Sequence, residues 1–426
     1  MSTFAAPTAK VKLGRPLVAA RAITGEGLAV VATAGAVAML PLAIPQGPAN
    51  MAPNDVFLAL AIASCLLWAG TAGLRLQFPY VVPVTLALIG GAAGALVGPV
   101  PLKGMFALTQ DVWLLGWCWT VVNVGRTPRN LRILLATWAY SGIAWATLAF
   151  VGMATGNTLL TGQVPRQGSR VQITLDDPSY AANYFLISLM IIWATQRPKP
   201  RAARFAAYAL LAAAIATTGS NSGAVGLTVA TIVATSLGAY RRYGIVPAVT
   251  LFLVVVLAGG LVKSTVSLQS IQSRAHDSRY AFIRDGIGRS PQSAGQRQML
   301  LHESIHLYEQ GNPLGDGPVS TKPRLQKEMV ALVKEAHDDY FAALIERGPI
   351  GFIGILLLVG SLGLRGGAVA TRKLSSGFAD VIVRPNALAG ALAGTLVAMT
   401  VYELLHVRHV WTLFAVVAAA SIWGRK

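Results

Sequence analysis

Charge is scarce in this chain, and the scarcity decides its class. Only 12% of the 426 residues are charged while 54% are hydrophobic, and the mean hydropathy is +0.57. A soluble domain carries about 25% charged residues, so these totals exclude one and indicate a polytopic membrane protein. Cysteine is almost absent. Cys65 and Cys118 both fall inside apolar segments and make neither a disulfide framework nor a metal pattern. Acids are few as well, 17 against 35 Lys and Arg, for a net charge of +18. In a soluble protein that balance would point to nucleic acid. Here the tendency of cytoplasmic loops to retain Lys and Arg explains it, and no nucleic acid is expected.

About 20 mostly apolar residues cross a hydrocarbon core. Twelve stretches qualify: roughly 27–45, 56–74, 80–100, 107–125, 131–153, 179–196, 204–218, 222–240, 244–263, 349–366, 385–405 and 409–424. The first follows a basic segment and reads as a signal anchor that stays in place. With the N-terminus inside and alternation thereafter, 20 Lys and Arg fall in inner loops and 4 in short outer loops. The other 11 lie in or at the edge of the long segment 264–348, which does not vote because long loops cross regardless of charge. The expectation is an all-α, multi-pass protein of the cytoplasmic membrane. It has a cytoplasmic segment 1–26, helices over 27–263 with an outer loop 154–178, a large extracytoplasmic loop 264–348, and three last helices within 349–426. Within the large loop, 295–310 and 324–346 each predict a helix. The second carries Met329, Val333, His337, Tyr340, Phe341 and Leu344 on one stripe.

Ionisable groups are nearly missing from the middle of the apolar stretches. Asp111 and Glu403 lie near the outer ends of theirs. A proton-coupled transporter needs carboxylates near the midplane, so a twelve-span transporter or flippase for lipid-linked glycans is the lesser alternative, and work at the outer surface is favoured. No His, Cys and Asp group has metal-ligand spacing; His276, His302 and His306 do not assemble one, although His302 and His306 could share a helix face. From spacing alone, Arg170 is an interfacial arginine, Asp177-Pro178-Ser179 is a helix cap, Arg297 is a solvated helix residue and His337 is a structural hydrogen-bonder.

Together these positions resemble something more specific. Arg170 precedes Thr174, Pro178 and Ser179; Arg297 precedes Pro313 and Gly315-x-Gly317; His337 precedes Glu346-x-Gly348-x-x-Gly351; and the chain closes on "HVRHVWTLFAVVAA". The order and spacing over about 150–424 are similar to the O-antigen ligase and polymerase family of bacterial membrane glycosyltransferases. Ser179 and Asp338 stand where that family usually has Asn. The resemblance implies a GT-C-like fold and transfer of a glycan from a polyprenyl-diphosphate donor to a glycan, lipid or protein acceptor at the membrane, without a metal or other cofactor. It implies that Arg170 and Arg297 clamp the diphosphate and that His337 is the base, with Asp338 or Asp339 orienting its ring. Asp177 and Glu346 are expected to contact substrate, and the glycines of Glu346-x-Gly348-x-x-Gly351 to let the chain bend sharply into the membrane. A polymerase would use the same donor with another donor chain as acceptor. The topology predicts that a cysteine introduced within 264–348 reacts with a membrane-impermeant maleimide on intact cells; labelling only after lysis would overturn the outer placement of this segment.

Overall fold

A computed structural model of the chain describes residues 25–45, 47, 51–164, 168–265, 273–279, 284–285, 305–327 and 338–425. Among the described residues there is no strand, and twelve helices have fourteen residues or more: α1 Gly25–Ala38, α2 Pro53–Ala72, α3 Val81–Val97, α4 Pro101–Val124, α5 Pro128–Thr155, α6 Pro178–Thr195, α7 Arg201–Thr218, α8 Asn221–Tyr243, α9 Ile245–Thr265, α10 Asp339–Thr371, α11 Pro385–Ala398 and α12 Arg408–Trp423. Each overlaps one of the twelve apolar stretches. Four of them, α2, α5, α8 and α10, are long and apolar enough to cross a membrane by length and composition.

Two helices form the centre. α6 and α12 are buried along nearly their whole length, as expected of helices apolar on every side. α5, α7, α8 and α11 pack on α6, while α4 and α10 pack on α12, and α3 lies against both α4 and α10. Lipid tails are as apolar as leucine, so close contact and hydrogen bonds hold such helices together. Trp117 Nε1 of α4 donates to Thr412 Oγ1 of α12 at 2.8 Å, and Trp138 Nε1 of α5 donates to Ser188 Oγ of α6 at 3.2 Å. His409 Nε2 and Asn183 Oδ1 lie 3.2 Å apart, and the Asn183 amide reaches Thr395 Oγ1 at 3.4 Å, which joins α12, α6 and α11. α8 and α11 meet backbone to backbone: a Cβ added to Gly394 would sit 2.3 Å from the Gly226 carbonyl oxygen.

The two ends of the bundle differ. At one end, Gln77 and Asn123 exchange two hydrogen bonds at 2.8 Å, Arg384 N–H donates to Ala194 O, and Ser375 N–H donates to Gly424 O. Arg126, Arg197, Arg204, Arg365, Arg372, Lys373, Arg384 and Arg425 lie at or near this basic end. The opposite end carries the longer connections. There Ala43 and Ile44 N–H both donate to Thr174 O, Val171 N–H donates to Thr217 O, and Arg408 forms a two-pronged ion pair with Asp55, which also receives Trp113 Nε1.

Two expectations are corrected. A single helix over 324–346 does not form: one helix covers Thr321–Lys327, and Asp338 has extended backbone (φ −153°, ψ 117°) because its carboxylate caps a new helix by accepting from the Tyr340 and Phe341 N–H groups. The stretch 385–405 is helical only to Ala398, after which a folded loop leads to Arg408. Of the helix expected over 295–310, the part before 305 lies outside the described residues. Gly394→Val would push α8 and α11 apart, which predicts a loss of about 1–3 kcal/mol, typical of overpacking, and a lower melting temperature of the detergent-solubilised protein. An unchanged melting temperature would refute the close crossing.

Candidate functional site

The loop-rich end gathers the described residues that the motifs singled out. Arg170 is buried, at 9% exposure, and its Nε donates to the Thr218 carbonyl at 2.7 Å. That carbonyl belongs to the last turn of α7, which stops at Gly219 in left-handed conformation. One edge of the guanidinium is thus fixed in direction by a helix end. Asp177 caps α6, its Oδ1 accepting from Ser179 N–H at 2.6 Å with Pro178 in the first turn. Ser179 Oγ in turn receives Ser220 Oγ at 3.2 Å, and Ser220 lies 2.8 Å from Ser222 Oγ. The loops at this end also meet one another: Ser169 N–H donates to Asp285 Oδ2 at 2.9 Å. Burial alone would raise the Asp285 carboxyl, but the bonds from Ser169 and Arg284 hold it below the ordinary carboxylate range.

Tyr180 continues this rim. Its hydroxyl lies 2.7 Å from His406 Nε2, and its ring packs edge-on against His406 and Tyr402. The loop that carries these partners is held by Asp339, whose two carboxylate oxygens accept from Leu404 N–H at 2.7 Å and Leu405 N–H at 3.1 Å. The two aspartates after position 337 therefore have separate tasks, one capping α10 and the other gripping the 404–405 loop. Either was expected to orient the ring of His337, which lies outside the described residues. Burial pushes the Asp338 carboxyl above its ordinary range, against the pull of its two N–H bonds.

α10 breaks at Gly348, where φ is +61° and ψ −173°. Only glycine takes that conformation without strain. Pro349 has no N–H, so the carbonyl of Ile345 loses its helical donor, and the break removes that of Glu346. The turn Pro313–Gly317 supplies both: Asp316 N–H donates to Ile345 O and Gly317 N–H to Glu346 O, each at 2.9 Å. Glu346 returns the contact with its side chain, accepting Thr321 Oγ1 at 2.8 Å, Val319 N–H at 3.0 Å and Thr321 N–H at 3.4 Å. Arg347 pairs with Asp111 of α4 at 2.7 Å. Two motifs that are some thirty residues apart in sequence are thereby one interlocked unit. The Gly348 bend was visible in the sequence; the role of Glu346 as its anchor was not.

Arg297 and His337 lie outside the described residues. Arg170, Asp177 and Glu346 lie within them, each bound to the main chain of a neighbouring segment. Sequence reasoning passed over the Tyr180–His406 contact and the Arg408–Asp55 pair. The only signal was a histidine and an arginine just before the last span, and nothing pointed to partners 226 and 353 residues away. Among the described residues no group of three His, Cys, Asp or Glu side chains is placed to hold a metal ion.

Residues 206–356 match the family model described as O-antigen ligase. The match supports assignment to that family, and with it a membrane enzyme of polysaccharide assembly. It spans positions 297 and 337 and the whole interlocked unit, and it ends in α10 just past Gly351 and Gly354. No curated protein matches the chain significantly.

If Glu346 anchors the 313–321 turn, Glu346→Ala should speed amide hydrogen exchange at Val319 and Thr321, since hydrogen bonds to a charged group contribute about 1.5–3 kcal/mol. Glu346→Gln, which keeps an acceptor oxygen, should do so less. Lost activity with unchanged exchange would make Glu346 a substrate contact instead.

Proposed function

We propose that this protein transfers a glycan from a polyprenyl-diphosphate carrier to an acceptor hydroxyl at the loop-rich end, outside the bacterial cytoplasmic membrane, as an O-antigen ligase-like glycosyltransferase. The observation that carries the reading is Arg170: a buried cation whose guanidinium is aligned by the Thr218 carbonyl, at the end of the bundle where the family-matched turn and break of α10 are also found. A buried arginine already oriented by one carbonyl is suited to receive phosphate oxygens with little rearrangement. The charge distribution supports the side, since the opposite end carries the concentrated Lys and Arg that mark the cytoplasm.

The chemistry needs no nucleotide, because the donor's sugar–diphosphate bond supplies the driving force. In the transfer, the acceptor oxygen forms a bond to the anomeric carbon as the carbon–oxygen bond to the diphosphate breaks. The electron pair leaves with the lipid diphosphate, whose developing charge Arg170 and Arg297 stabilise. His337, through an imidazole nitrogen, takes the hydroxyl proton. The acceptor reaches this centre from water while the donor stays in the bilayer, which suits a rim assembled from loops at helix ends.

Arg170→Lys retains charge but cannot both hold the Thr218 carbonyl and present a planar fork, so it should lower transfer roughly 10²–10³-fold at matched expression. His337→Ala and His337→Gln should both nearly abolish transfer, within about 10²–10⁴-fold, while lipid-linked donor still binds. A transfer assay in membranes with purified donor decides: an active glutamine variant removes His337 as base, and a normal lysine variant reduces Arg170 to an anchor.

A further inference from the structure

A second convergence of charge lies at the basic end and takes no part in the proposed transfer. α10 and α12 finish there side by side, joined by the Ser375 N–H bond to Gly424 O at 2.9 Å and by an antiparallel bridge between Leu374 and Arg425. Between the helix ends lies a cavity of about 200 Å³, lined by Ala368, Arg372, Lys373, Leu374, Ser421 and Arg425 among others. Cations near helix C-termini commonly answer free carbonyls. Here the main chain supplies part of that need, as Arg372 N–H donates to Ala368 O at 3.0 Å and Gly424 N–H to Ala420 O at 3.1 Å, while the Arg425 side chain answers Ser421 O through Nε at 2.7 Å. Arg365, two turns before Arg372, adds a further cation by donating to Ser421 Oγ at 3.1 Å. Among the described residues no Asp or Glu side chain forms an ion pair with Arg365, Arg372, Lys373 or Arg425.

The cavity is continuous with an outward face of α10. Ile353, Leu356, Leu357, Gly360, Gly363 and Leu364 are exposed and recur every three or four residues, so they form one stripe. The stripe runs on through Gly367 to Ala368 at the cavity wall. At Gly360, Gly363 and Gly367 an added Cβ would meet nothing within 4 Å. The helix surface is therefore furrowed and open along a track that ends among three cations.

We propose that the track and the cavity are one binding site for an anionic glycerophospholipid, with an acyl chain along the furrow of α10 and the phosphate among Arg372, Lys373 and Arg425. The open, apolar, glycine-lined track suits an acyl chain, and the charge suits a phosphodiester. Basic pockets between helices at a membrane face are suited to such headgroups. A second copy of the chain fits less well, because a two-fold axis along the stripe would set Arg372 and Lys373 against their own copies.

The test is native mass spectrometry of the full-length protein in detergent, titrated with phosphatidylglycerol and with phosphatidylcholine of the same acyl chains. Phosphatidylglycerol should be retained at least about ten-fold more tightly, and the triple variant Arg372→Ser, Lys373→Ser, Arg425→Ser should lose that preference, with up to about 100-fold weaker binding if each cation acts near its usual strength. Gly363→Leu with Gly367→Leu fills the furrow in open space and improves helix propensity, so the fold should hold while retention of phosphatidylglycerol falls. Inorganic phosphate in millimolar excess should leave the lipid bound. Three results would overturn the proposal: equal retention of both lipids by the native chain, displacement by phosphate alone with no effect of the leucines, or leucine variants that dissociate a dimer but retain lipid.

Discussion

A helix that breaks where it is buried against its neighbours must find protein partners for the peptide groups it releases. α10 breaks at Gly348, and much of the loop-rich end is arranged around that event. The proline after the break removes one donor and the turn in the chain removes another. The Pro313–Gly317 turn answers both carbonyls, and it can do so only because it lies directly on the break: a Cβ at Gly315 would come within 2.5 Å of the Gly348 nitrogen. α3 closes the arrangement from behind, where Gly94 and Gly98 let its backbone reach the same turn. Glu346 and Arg347, the two positions before the bend, tie it to Thr321 and to α4. The family-matched segment ends just past this junction, so the geometry and the comparison mark the same unit.

The sequence made the membrane character and the helix positions legible, because twenty-residue apolar runs survive any tertiary detail. It made the Asp177 cap and the Gly348 bend legible too, since both follow from local chemistry. What escaped it was pairing across long distances. Asp339 is an ordinary first-turn acid until the 404–405 loop folds onto it, and Arg408 is an interfacial arginine until Asp55 arrives. The expected helix through 324–346 failed for a related reason. A stripe of apolar residues favours a helix, but a well-placed cap at Asp338 starts a new one, and periodicity does not register a cap in the middle of a run.

The two ends of the bundle divide the electrostatic work. At the loop-rich end three cations are tied to partners: Arg170 to a carbonyl, Arg347 and Arg408 to carboxylates. Such cations are held in direction, which suits recognition of a ligand or the precise setting of a loop. At the basic end Arg372 and Lys373 line a cavity together with Arg425, of which only Nε is turned to a carbonyl, that of Ser421. The same residue types thus serve fixed geometry at one end and attraction at the other, and their count alone would not separate the two.

The burial of α12 carries a consequence for biosynthesis. This helix follows the other eleven in the sequence, yet it is central: His409 through Ser421 are buried without interruption, Thr412 receives Trp117, and the Phe414 carbonyl receives Tyr80. A chain made from its N-terminus yields the other eleven helices before the one that fills their middle. Those eleven must wait beside one another as a loosely gathered set, with Trp117 and Tyr80 short of their final partners, until α12 leaves the ribosome. Folding of this bundle is then timed by translation, and it completes from the outside inward.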